Sequence, residues 1–118
     1  MGLKIDTRSI SDATVVYCDG RIVFGEETAL LREKVRALIE KDPHIVIDLK
    51  GVDYIDSGGL GTLVGLYSTA QNAGGELKLS HLTHRVRDQL QITKLITVFD
   101  CHDTEESAIR AFKRKATA

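Results

Sequence analysis

Hydrophobic positions in this chain switch between two periods, and the switches outline its secondary structure. Near the N-terminus, Leu3 to Arg8 and Ala13 to Cys18 are short strand candidates joined by the polar-rich turn Ser9-Ile10-Ser11-Asp12, which predicts an antiparallel pair. From Glu26 to Glu40 the period lengthens. Leu31, Val35, Leu38 and Ile39 recur at i, i+4, i+7 and i+8, with Arg32, Glu33, Lys34 and Arg36 interleaved as a solvated face, and Pro43 stops the helix. Ile45 to Leu49 is apolar on both faces, as a central strand is, while Glu76-Leu77-Lys78-Leu79-Ser80 alternates like a half-exposed strand. Ile96 to Phe99 is expected as the last strand. Asp103 or Thr104 then caps a terminal helix with Ala108, Ile109 and Phe112 on its apolar stripe and Lys113, Arg114 and Lys115 at its basic end. Strand and helix alternate after an initial hairpin, so the expected class is α/β with a mixed sheet and parallel crossovers.

The segment from Val46 to Gly61 holds the densest chemistry: an apolar strand, an acidic loop and a serine opening a helix. The first N–H groups of a helix lack intrahelical partners and carry the positive end of its dipole. Ser57 is expected to cap them, which is worth about 0.5–2 kcal/mol, and Asp56 adds favourable negative charge beside it. A phosphate on Ser57 would meet the same backbone donors, while its charge of roughly −2 would crowd Asp56 and Asp53. The helix that follows has two unlike faces. Leu60, Leu63, Val64 and Tyr67 form the core stripe, whereas Gly58, Gly61, Gly65, Ser68 and Asn72 form a strip of small residues. Glycine inside a helix costs about 1 kcal/mol relative to alanine. Two compensations are open: close helix packing within the domain, or a flat strip beside Ser57 on which a partner docks.

Composition narrows the functional classes. With 118 residues, 42% hydrophobic and 28% charged, the chain suits one domain over residues 1–118. A net charge of −1 and the lack of a clustered basic face argue against nucleic acid. No apolar run approaches the roughly 20 residues that span a bilayer, and no signal-peptide core is present, so a cytoplasmic location without membrane attachment is expected. Cys18 and Cys101 read as reduced thiols, and His81 and His84 are poorly placed to share a metal, so neither metal nor cofactor is expected. His44 and His102 are expected at the surface. No enzyme signature emerges. A serine-hydrolase elbow needs glycine two residues before the serine, where this chain has Ile55; the phosphate-binding loop with its lysine is missing. A receiver domain with Asp48 or Asp53 as acceptor needs paired N-terminal acids, yet Asp6, Asp12 and Asp19 are isolated.

Asp56-Ser57-Gly58-Gly59-Leu60-Gly61, preceded by Ile45 to Leu49 and followed by Leu63, Val64 and Tyr67, resembles the signature of the STAS domain of bacterial anti-sigma-factor antagonists. The resemblance runs nearly end to end, taking in Gly20, Gly74-Gly75 before Glu76, and Thr83 opening a short helix toward Leu95. It implies a single STAS-type domain with a mixed sheet of four to five strands and about four helices. It further implies that Ser57 is phosphorylated by a serine protein kinase that doubles as the anti-sigma factor, and that a phosphoserine phosphatase reverses the change. Asp53, Asp56, Gly58, Gly61 and Gly65 would form the partner-binding surface, with Arg21 and Val23 at its kinase-facing edge, on a monomer or weak homodimer. The chain departs from the family pattern at three places. Arg21 lies in a turn where many members carry an acidic residue, Gly58 stands where a second serine is frequent, and Lys94 stands where a glycine often supplies a positive φ. The alternative implied by the same resemblance is a constitutive interaction scaffold in which Ser57 only caps its helix.

Overall fold

The computed structural model of the chain describes residues 2–112. Strands β1 (Lys4–Ile10) and β2 (Ala13–Ile22) form the expected antiparallel hairpin, turning at Ser11 with φ 57°. The chain continues through α1 (Glu26–Lys41), β3 (His44–Ile55), α2 (Ser57–Asn72), β4 (Glu76–Ser80), α3 (His84–Ile92), β5 (Cys101–His102) and α4 (Glu105–Arg110). The five strands lie in the order β1-β2-β3-β4-β5, and every pairing after the first is parallel. This is the mixed α/β sheet that the alternation of periods predicts.

Parallel steps taken in one direction across a sheet place their crossover helices on one face. Leu31, Val35 and Ile39 of α1, Leu63, Leu66 and Ala70 of α2, and Val86 and Leu90 of α3 accordingly share one core with Ile45, Ile47, Leu49, Leu77 and Leu79. The opposite face is covered by α4 and the residues after it, with Ala108 and Phe112 packed on Ala13, Val15 and Val46. Helices on both sides explain why Ile45 to Leu49 is apolar on both faces.

Coverage by the α4 side corrects the reading of β4 as half exposed, because Lys78 and Ser80 are buried at 3% and 0% exposure. The Lys78 Nζ donates to Glu76 Oε1 at 2.9 Å and to Asp100 Oδ2 at 2.7 Å, and lies 5.0 Å from the centre of the Phe112 ring. Burial works against this ammonium, but its hydrogen bonds to Asp100 and Glu76 hold its pKa above the ordinary lysine value. His44 and His102, expected at the surface, are half-buried in the same region. His44 pairs with Asp42 at 2.6 Å and meets the Phe112 ring edge-on, while His102 bridges Asp100 and Ser107.

Two element boundaries also differ from expectation, and an open alternative at a third is settled. Ile96 to Phe99 is not a strand. Leu95–Thr97 is a 3₁₀ turn entered through Lys94 at φ 66°, and the last strand is Cys101–His102. Of that run only Phe99 is buried, at 4% exposure, while Val98 is exposed, so the segment lacks the alternating buried face that a strand would need. Lys94 thus adopts the left-handed conformation that a glycine would adopt with less strain. At α4, Thr104 rather than Asp103 accepts the capping bond, from the Ser107 N–H at 3.1 Å. The basic end expected at Lys113, Arg114 and Lys115 lies outside the described residues.

The second difference positions the site. β2 and β3 both run past their expected ends, so Gly51 to Ile55, read as an acidic loop, is strand. β4 pairs with β3 only from His44 to Asp48, leaving one edge of the far half of β3 without a strand. Side chains from the α3 region take its place. Thr83 Oγ1 donates to the Val52 carbonyl at 2.9 Å, and the Gln89 amide both accepts from the Ile55 N–H at 3.1 Å and donates to the Ile55 carbonyl. Ile55 is fully buried, so no water can replace that clamp. Gln89→Ala is expected to cost about 1–3 kcal/mol in urea denaturation, the penalty for leaving buried backbone groups unpaired. Asp100 gives a pH signature. Burial favours its protonated form, but the hydrogen bonds from Lys78 and His102 outweigh burial and hold its pKa below the ordinary 3.8. Its stabilising contribution is therefore present above that value and lost as pH falls below it, so Asp100→Asn should destabilise at pH 7 and flatten the acid limb of a thermal-melt titration.

Candidate functional site

The connection from β3 to α2 turns on Asp56. Its Oδ1 accepts the Gly59 N–H at 2.8 Å, which makes Asp56, not Ser57, the N-cap of α2. The same carboxylate accepts the Phe24 N–H at 3.2 Å and 3.1 Å through its two oxygens, and the Asp56 N–H donates to the Ile22 carbonyl at 3.3 Å. One side chain thus caps a helix and fastens it to the link between β2 and α1. Aspartate supplies what serine lacks here, two acceptor oxygens and a full negative charge at the positive end of the dipole. Ser57 becomes the first residue of α2 and is exposed, so the expectation that its hydroxyl is the cap is corrected.

The glycines of α2 divide into two kinds. A Cβ at Gly59 would lie 2.1 Å from the Ile22 carbonyl oxygen, and one at Gly58 would lie 2.6 Å from the Phe24 Cβ, so both let the helix start approach the end of β2. At Gly61 and Gly65 a Cβ would meet nothing within 4 Å. Packing within the domain therefore accounts for Gly58 and Gly59 but not for Gly61 and Gly65. These two open onto a groove of about 420 Å³ between α1 and α2, together with Phe24, Thr62, Arg32 and Arg36. Thr62 turns its hydroxyl back to the Gly58 carbonyl at 2.9 Å and accepts from Arg32 Nη2 at 3.3 Å. Phe24 stands at the Gly58 end with 79% of its surface exposed.

The STAS domain family matches this chain over residues 4–108. The chain belongs to that family. Among its relatives, the anti-sigma-B factor antagonist of Bacillus subtilis is 32% identical over 111 residues, covering 93% of this chain and all of that protein (100%). A Thermotoga maritima protein shares the fold with a TM-score of 0.85 at 22% identity, covering 93% of this chain and 95% of that one. The Bacillus cell fate determinant SpoIIAA, solved in its phosphorylated form, shares it with a TM-score of 0.69 at 19% identity, covering 91% of this chain and 97% of that one.

Within this STAS domain the residues singled out from the sequence fall around one end of the sheet, but in different settings. Asp53 is exposed in β3, in the irregular stretch where Gly20 faces Val52 and Arg21 faces Tyr54; it is the extra residue of a bulge, which turns it outward. Arg21 is exposed in β2 rather than in a turn, and Val23 is half-buried just after it. The helical period assigned Arg32 and Arg36 only to a solvated face and gave Phe24 no role. Their spacing of four carried a signal, since Arg32 and Arg36 must share one side of α1, but which neighbour that side faces is not written in α1 itself.

Burial pushes the Cys18 thiol up to about 12 and the Cys101 thiol up to about 11, so both are protonated at neutral pH. Among the described residues there is no cluster of three or more His, Cys, Asp or Glu side chains suited to a metal ion, and no helix is long and apolar enough to cross a membrane. The division of labour at the helix start predicts a contrast in urea denaturation. Asp56→Ala should cost about 1–2 kcal/mol and Ser57→Ala less than about 0.5. Gly61→Ala should be neutral or stabilise by up to about 1 kcal/mol, whereas Gly59→Ala should cost more than about 2 because backbone must move.

Proposed function

We propose that this chain is an anti-sigma-factor antagonist whose partner binding is switched by reversible phosphorylation of Ser57. The observation that carries the reading is the exposure of Ser57 at the first turn of α2 while Asp56 does the capping. A hydroxyl that capped the helix would have to leave its bond to be modified; this one does not. A phosphate there would lie beside the first backbone N–H groups of α2, which favour an anion, so the fold survives its addition. Its charge would nonetheless stand next to Asp56 and at one end of the open groove, where a docking partner would have to desolvate it. The B. subtilis relative is named an antagonist of an anti-sigma factor, and the SpoIIAA structure carries a phosphate, which support both halves of the proposal.

In this reading the unmodified protein binds and sequesters an anti-sigma factor that is also its serine kinase, and a separate phosphatase restores the unmodified form. Gly61 and Gly65 keep the middle of α2 flat, so that a partner backbone can lie close to it. Arg21, Val23 and Asp53 flank the helix start and contribute to partner choice. The chain's own part is recognition, not catalysis.

Affinity capture from native cells with the wild type and three variants as baits tests the proposal. Ser57→Ala should retain the co-purifying kinase, and Ser57→Asp should lose it by about tenfold or more, equivalent to about 1.4 kcal/mol, with unchanged circular dichroism. Gly65→Leu should keep stability and lose the partner. Equal capture by wild type and Ser57→Asp would leave the constitutive scaffold as the function.

A further inference from the structure

We infer that the groove between α1 and α2 receives an acidic helix of the partner, read by Arg32 and Arg36. The inference rests on the docking role proposed above and adds the chemistry of what docks. Arg32 and Arg36 stand four residues apart on α1 and both line the groove, opposite a wall made of Gly58, Gly61, Thr62 and Gly65 that carries no charge. Like charges at this spacing repel, and Glu33, three residues before Arg36, and Glu40, four after it, lie in a second hollow that the two arginines also line. Neither guanidinium forms an ion pair within 4 Å among the described residues, and Arg32 donates to the neutral Thr62 hydroxyl at 3.3 Å. The pair is thus a fork of donors lining a groove whose own walls carry no acidic side chain, Glu33 and Glu40 lying in a separate hollow beside the same two arginines.

The dimensions select the occupant. Arg32 and Arg36 are separated by about 6 Å along α1, the rise of one helical turn, which matches two carboxylates at i and i+4 on a helix laid alongside. The wall from Gly58 to Thr69 spans about 16 Å, or three turns of such a helix. Because Gly61 and Gly65 present no Cβ, the incoming helix can approach α2 closely, and Phe24, exposed at the Ser57 end, offers it an apolar contact. Planar guanidinium groups suit carboxylates bidentately. Nucleic acid fits less well: two charges in a short groove with one aromatic ring give neither a phosphate track nor a stacking platform. Phosphate on Ser57 would then repel an acidic helix at the end of its own groove, giving the switch a specific opponent.

Three alanine-based helical peptides of 16 residues, alike except for Glu, Gln or Lys at one i, i+4 pair, test this against ¹⁵N-labelled full-length protein by NMR titration. The Glu peptide should move the amide signals of Gly58, Gly61, Thr62 and Gly65 and bind at least about fivefold more tightly than the Gln peptide. The double variant Arg32→Glu, Arg36→Glu, whose fold is checked by its spectrum, should lose the Glu peptide and accept the Lys peptide. Any one of three results overturns the inference: no groove shifts with the Glu peptide at millimolar concentration, equal binding of all three peptides, or the same shifts from inorganic phosphate alone. A single-stranded oligonucleotide that outcompetes the Glu peptide overturns it in favour of nucleic acid. Loss of the kinase by Ser57→Asp together with a failed peptide titration would sink only this inference; the converse pattern would sink only the phosphorylation switch.

Discussion

The carboxylate of Asp56 is the constraint on which the functional end of this domain depends. Backbone N–H groups need acceptors where β2 and β3 end and two helices begin, and a single aspartate serves two of them, at Gly59 and Phe24. These bonds are charge-assisted and lie at the positive end of the α2 dipole, so each is stronger than a neutral bond in the same place. They fix α2 against the link into α1 and thereby set the width of the groove between the two helices. They also free Ser57. A residue that can be modified without unfolding its helix must have no part in holding that helix, and the neighbour's carboxylate meets that requirement.

A second constraint comes from unequal strand lengths. β3 has 12 residues and β4 five, so the end of β3 that leads into Asp56 projects beyond the strand on one side. An unpaired strand edge exposes backbone groups that would recruit water or another chain. Thr83 and Gln89 occupy that edge instead, and α3 buries it. The projecting end of β3 is therefore rigid although it lacks a full sheet around it, and it carries Asp53, Asp56 and Ser57 to the periphery where another protein can reach them.

The opposite face of the sheet shows how burial overrides pattern. Lys78, Ser80 and Asp48 all lie within it and would be costly there alone. Lys78 is neutralised by Glu76 and Asp100, while Asp48 accepts from Ser80, from the Lys50 N–H and, at 2.6 Å, from His81. Alternation along β4 correctly marked two faces, yet polar residues on one face meant satisfied burial rather than exposure, because α4 and Phe112 cover them. The segment Ile96 to Phe99 shows the opposite limit of pattern, since only Phe99 of it is buried while Thr97 and Val98 are exposed in and after a 3₁₀ turn.

The order of local interactions was legible in the sequence: the hairpin, the helix stripe of Leu31, Val35 and Ile39, the central strand, a last helix capped at Asp103 or Thr104, and a helix beginning at the Asp56-Ser57 step. These depend on residues within a turn or two of each other, so the chain encodes them locally. Only the tertiary structure decided which of Asp56 and Ser57 does the capping, because the second demand on Asp56 comes from Phe24, 32 residues away. It likewise decided that Gly58 and Gly59 are packed while Gly61 and Gly65 are open, and that Arg32 and Arg36, exposed as their helical period predicts, line one groove with α2. The small residues and the arginine pair are written in two separate helices. Their meaning arises only where the sheet sets those helices side by side, since a groove is a relation between surfaces that neither segment specifies alone.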